Sequence, residues 1–205
     1  VLGTQPVQDE RAFQARLKME KIARDVEYSF LNGVYQKPAD NTTGRKTRGI
    51  EPAITTNAVA AAGASLTTTH VDTLLRTMYD QTAAAGAPFR MVVVMCNAFQ
   101  KQAITALYGY APQSRNVGGL NINLIETPFG LFGIVMNRHV ATDDIYFLEV
   151  SVMAPAILEI PGYGFLFMEQ LAKTGSAEKY QIYGEIGLAY GPEGWHGKIT
   201  GLATS

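Results

Sequence analysis

The sequence predicts an α+β fold, and three observations carry that expectation. One long amphipathic stretch opens the chain, a valine-rich apolar run follows a second amphipathic stretch, and the later half alternates short strand-like runs with Gly and Pro turns.

The first stretch, residues 9–35, is expected to be one helix. Phe13, Leu17, Ala23, Val26, Phe30 and Val34 recur at helical spacing, joined by Met19 and Ile22. Glu20 precedes Arg24 by four residues and Lys21 precedes Asp25 by four, which gives a charged outer face. Pro38 marks the stop. Such a rod is about 40 Å long, and its plainest role is a core helix with one solvated side.

Residues 37–65 are rich in Thr, Asn, Gly and Ala and hold no sustained period. A stretch this long is expected to be mobile or to be ordered by a partner. Its basic cluster is Arg45, Lys46 and Arg48. Thr67, Thr68 and Thr69 then offer caps for a second helix, whose stripe is Val71, Leu74, Leu75 and Met78 and which ends near Gly86. Residues 89–96 suit a strand buried on both faces, and a third helix is expected over 99–108.

Residues 111–119 read as a polar loop. Residues 121–126 and 131–137 read as a hairpin around Pro128-Phe129-Gly130. β character continues over 145–150 and 156–160, and Pro161-Gly162-Tyr163-Gly164 breaks it. Residues 180–190 read as one strand with Tyr180, Ile182, Ile186, Leu188 and Tyr190 on a single face. After the Gly191-Pro192-Glu193-Gly194 turn, residues 195–202 are expected to pair back.

Composition narrows the function. The 205 residues are 47% hydrophobic and 17% charged. The usual charged share is about 25%, so a surface largely covered by neighbours fits. A net charge of −1 argues against tight binding to nucleic acid through a basic face. The lone Cys96 excludes an internal disulfide. No stretch reaches the roughly 18 apolar residues of a membrane span, and residues 1–10 do not resemble a signal peptide. Val1, without an initiating Met, reads as a cleavage or cloning boundary.

A search for chemistry finds no assembled site. His70, His139 and His196 have no second His or Cys at ligand spacing, and His139 with Asp143 or Asp144 is an incomplete metal set. Cys96 sits in an apolar run that quiets a thiol. Gly63-Ala64-Ser65-Leu66-Thr67 lacks the second glycine of a nucleophile elbow. Gly194-Trp195-His196-Gly197-Lys198 lacks the first glycine and the hydroxyl residue of a phosphate loop. Phe129, Tyr163, Phe165 and Phe167 have the chemistry to stack on bases, but no basic groove accompanies them, and core or subunit contacts are the expectation. No catalytic, cofactor-binding or metal-binding residue is assigned, no cofactor is expected, and the chain is expected not to be an enzyme.

Five segments, taken in order, resemble the major capsid proteins of tailed bacteriophages and prophages. They are Ala23-Arg24-Asp25-Val26-Glu27 with Asn32-Gly33; Arg48-Gly49-Ile50 leading to Ile54-Thr55-Thr56-Asn57; residues 125–139; residues 172–188; and His196-Gly197-Lys198-Ile199-Thr200-Gly201-Leu202. The resemblance implies the shell fold shared with encapsulins. A peripheral domain (a long spine helix plus long β-strands) would take residues 1–66 and 146–205. An axial domain (a central mixed sheet flanked by helices) would take residues 67–145.

The same resemblance implies a structural protein of an icosahedral capsid, built from pentamers and hexamers that enclose DNA. The expected partners are further copies of the chain, scaffold and portal proteins, and packaged DNA without sequence-specific contacts, and no membrane. The expected place is the virion, after synthesis in the bacterial cytoplasm. Family members usually carry an N-terminal arm and an extended loop before the spine, so this chain reads as a trimmed core that stays monomeric or associates weakly. An encapsulin-like cellular compartment is one alternative, and a small α+β enzyme or ligand-binding domain is another.

Overall fold

The computed structural model of the chain describes residues 10–80, 86–108, 114–117, 120–176 and 178–204. Four helices occur among them: α1 Glu10–Asn32, α2 Ile50–Ala53, α3 Thr68–Tyr79 and α4 Ala98–Tyr108. The strands are β1 Ala58–Ala60, β2 Val92–Cys96, β3 Ser114–Val117, β4 Leu120–Thr127, β5 Gly130–Met136, β6 Ile145–Glu149, β7 Ala154–Leu158, β8 Phe167–Gln170, β9 Tyr180–Tyr183, β10 Glu185–Ala189 and β11 Gly197–Thr200.

Seven strands form one mixed sheet in the order β1-β11-β6-β2-β5-β4-β3. β1 runs parallel to β11 and β2 parallel to β5, while the other neighbours are antiparallel. Two antiparallel ribbons stand apart from it, β7 with β10 and β8 with β9.

Side-chain alternation on β6 divides the interior in two. Ile145 and Phe147 point into a core made with Val71, Leu74, Leu75 and Met78 of α3, and with Val94, Phe132 and Ile199 of the sheet. Tyr146 and Leu148 point the other way, onto Leu31, Ile50, Ile54 and Val140. All five β6 residues are therefore buried. β2, between β6 and β5, has the same central position, which explains its valine-rich run.

The α3 stripe lies where its period placed it. Thr67 caps the helix and accepts from the His70 backbone N–H, and the His70 ring accepts from the Thr67 backbone N–H in return, a reciprocal capping box. The β4–β5 hairpin also forms as expected, with Thr127 paired to Gly130.

Four expectations are corrected. Residues 37–65 are largely held by the chain itself. Asp40 gathers the backbone and hydroxyl donors of Thr42 and Thr43, Gln36 and Lys46 bridge, and Ile50, Ala53, Ile54, Asn57 and Ala61 are buried. Of residues 111–119, read as a loop, 114–117 form strand β3, and 111–113, 118 and 119 lie outside the described residues.

The single strand read over 180–190 is broken at Gly184, where a Cβ would meet the Phe165 carbonyl oxygen at 2.5 Å and Leu166 Cδ1 at 2.9 Å. β9 and β10 consequently belong to different ribbons. Finally, β11 does not pair back on the preceding strand. It lies in the seven-stranded sheet between β1 and β6, and Gly197 permits this because a Cβ there would press on Met78 Sδ at 2.7 Å.

Candidate assembly surfaces

α1 is tied by side-chain contacts near its two ends, and between them only one face, with Ala15, Ile22 and Val26, is half-covered. At its C-terminal end Leu31 enters the second core, Asn32 Nδ2 donates to the His139 carbonyl at 2.9 Å, and Asn137 Nδ2 donates to Glu27 Oε1 at 2.7 Å. The Tyr28 ring meets the His139 ring edge-on at 5.7 Å. At the other end Arg11 lies 5.1 Å over the Tyr180 ring and donates to its hydroxyl at 3.2 Å.

Leu31 is the one fully buried residue of α1. Phe13, Leu17 and Met19 are 41%, 42% and 43% exposed, so the expected core helix is a surface rod. Burying one such side chain fully is worth about 1.5–3 kcal/mol, and the lone chain leaves part of that unrealised at several positions.

The ribbons repeat the pattern. Every residue of β7 is exposed, including Ile157 and Leu158. The Tyr163, Phe167 and Tyr183 rings lie tilted against one another with centroids at 4.7 and 5.8 Å, yet Tyr163, Phe165, Met168 and Leu171 remain open to solvent. An open groove runs beside β7 and β10, with Tyr35, Lys46, Thr47, Ile157, Leu158 and Gly187 in its walls. Contiguous apolar exposure of this kind marks surfaces made for other macromolecules.

The residues weighed for chemistry fall into structural roles. His70 belongs to the α3 cap. Cys96 is buried, and burial pushes its thiol up to about 11. Asp144 is raised by burial and by neighbouring Asp143, and it accepts from the Tyr146 hydroxyl at 3.2 Å. His139 faces Glu27 at 3.8 Å and not these aspartates. Among the described residues no three His, Cys, Asp or Glu side chains converge as a metal site would require.

Lys198, the end of the degraded phosphate-loop motif, donates to Glu51 Oε1 at 2.7 Å and to the Glu51 carbonyl at 3.0 Å. Phe129 belongs to an aromatic group with Tyr79, Phe89 and Phe132 beside the first core. Ser65 is exposed just before the α3 cap.

A rod with exposed apolar residues, exposed ribbons and, among the described residues, no convergent metal-ligand set describes a molecule that works through contacts. The family described as SU10 major capsid protein matches residues 2–203. The chain belongs to that family. It is a structural protein of a viral capsid, and its family builds shells from many copies.

Solved structures share the fold at low identity. The holo-SrpI encapsulin complex from Synechococcus elongatus PCC 7942 matches 100% of this chain and 69% of its own, at 12% identity and a TM-score of 0.67. The cyanophage A-1(L) capsid asymmetric unit matches 97% and 70%, at 12% identity and a TM-score of 0.66. Mycobacterium phage Patience matches 96% and 66%, at 11% identity and a TM-score of 0.55. Among curated proteins none matches this capsid protein. None of its described helices is long and apolar enough to cross a membrane.

The sequence contained the α1 stripe but no sign of what covers it. The exposure of β7 was also missed, because a five-residue apolar strand has the same pattern on a surface as in a core.

Proposed function

We propose that copies of this chain form the pentamers and hexamers of an icosahedral head that encloses a DNA genome. Scaffold and portal proteins would be the transient and fixed partners, and synthesis would take place in the bacterial cytoplasm. The observation that carries this reading is the exposure of Phe13, Leu17 and Met19 on α1, an amphipathic rod of which the chain buries only Leu31 fully.

In this reading α1, the segment up to α2 and the two ribbons make the peripheral unit. The axial unit is residues 67–145 together with β1, β6 and β11, the strands hydrogen-bonded into its sheet. Identical wedges close around fivefold and sixfold axes by small changes of angle at repeated contacts, and the cohesion is buried apolar surface. The near-neutral chain suits DNA held by packing and counterions rather than by base reading.

Negative-stain microscopy of the complete gene product tests the proposal. Closed shells are expected, and a catalytically active monomer contradicts it. A second reading, a cellular compartment, is favoured by the encapsulin likeness. The contents of purified shells separate the two readings, nucleic acid for the head and a protein cargo for the compartment.

A further inference from the structure

His196 is fully buried, and it stands where both connections to the β7–β10 ribbon leave the central sheet. On one side β6 ends at Glu149, and a short 3-10 turn over Val150–Val152 leads directly into β7. On the other, β10 ends at Ala189, and residues 190–196 return the chain to β11.

The ring ties the two connections together. Its Nδ1 accepts from the Glu149 backbone N–H at 3.2 Å, and its Nε2 lies 2.6 Å from the Tyr190 carbonyl oxygen. A carbonyl oxygen only accepts, so Nε2 carries the proton and Nδ1 is a bare acceptor. That arrangement exists only in the neutral ring. With both nitrogens protonated, the Glu149 N–H faces another N–H.

We propose that His196 is an acid-released latch at the root of the β7–β10 ribbon: protonation breaks its hold on Glu149 and loosens the ribbon where it leaves the sheet, whether or not the chain is assembled.

The surroundings favour the neutral ring at neutral pH. Burial pushes its pKa below the ordinary 6.5, against the upward pull of the Tyr190 carbonyl and of the Glu149 and Glu193 carboxylates that face it. The tie is therefore intact at pH 6.5 and above, and is lost as the pH falls through the lowered value of the folded chain. Other ties at the root do not pass through the ring. Glu149 binds the Arg90 and Met91 N–H groups and the Ser151 hydroxyl, and Asn57 Nδ2 holds the Gly194 and His196 carbonyl oxygens. The ribbon is thus loosened at its root while the sheet stays closed, and its Leu188 N–H still donates to Thr47 Oγ1 at 3.3 Å.

Amide hydrogen exchange of the 205-residue chain between about pH 7.5 and 4.5, expressed as protection factors, tests the latch. On acidification the Glu149 and β7–β10 amides are expected to lose at least about tenfold in protection relative to β2 and α3. The midpoint is expected to coincide with titration of the His196 ring, followed by NMR. His196→Gln retains a donor and an acceptor without a titrating ring, so it is expected to remove that pH dependence. Equal loss in ribbon and core, or ribbon loss unconnected with the His196 titration, overturns the proposal. Should the variant not fold, the wild-type comparison of ring titration with ribbon exchange decides alone.

Discussion

α1 and α3 are both amphipathic, yet the chain treats them oppositely. The stripe of α3 disappears into the first core, with Leu74, Leu75 and Met78 at 0% exposure. On α1 only Leu31 is fully buried; Ile22, Val26 and Phe30 are half-covered, and Phe13, Leu17 and Met19 stay exposed. A helical period states that one face wants cover; it does not state which molecule supplies it. In α3 the cover is the chain's own sheet. In α1 the exposed apolar residues are left open, and in the proposed assembly another copy covers them.

The contrast is broken most forcefully in α3. Leu74→Ala is expected to lower unfolding free energy by about 2–5 kcal/mol in a denaturant titration, since the site is closed on every side. A loss below about 1 kcal/mol would mean that the first core repacks freely, and the distinction between the helices would weaken.

A smaller effect is expected where the α2–β1 segment meets the C-terminal turn. Glu193 Oε1 accepts from the Thr55 N–H and hydroxyl and from the Thr56 N–H. Burial works upward on this carboxyl, but the hydrogen bonds of Thr56 and Thr55 outweigh it and hold it below its ordinary 4.5. A depressed acid contributes stability above its unfolded value, which disappears as the pH falls through the lowered one. Glu193→Gln should therefore flatten the acid limb of the stability curve, and an unchanged limb would assign it to other carboxylates.

Much of this fold was legible in local pattern. The α3 stripe, the β2 valines and the turn at Pro128-Phe129-Gly130 each declare themselves within a dozen residues, and each is found as expected. What escaped is set at long range. Ile50 and Ile54 are buried against β6 from a segment with no period of its own, and β11 joins β1 across more than a hundred residues. Gly184 splits two ribbons because of Phe165 and Leu166, a crowding that no strand propensity encodes. The surfaces were half legible: the α1 stripe was visible and its exposure was not. The His196 latch left no trace, because Glu149 is 47 residues away and the Tyr190 partner is a backbone oxygen.

The most direct measurement pairs stability with assembly in one variant of the complete gene product, Phe13→Gln with Leu17→Gln. Glutamine is close to leucine in helix propensity, so the rod itself should persist. Thermal melting of the unassembled chain is expected to shift by less than about 0.5 kcal/mol per substitution, as for surface positions, while closed shells vanish from electron micrographs. Normal shells from this variant, or a chain destabilised as severely as by Leu74→Ala, would contradict the claim that α1 keeps its apolar face for another copy.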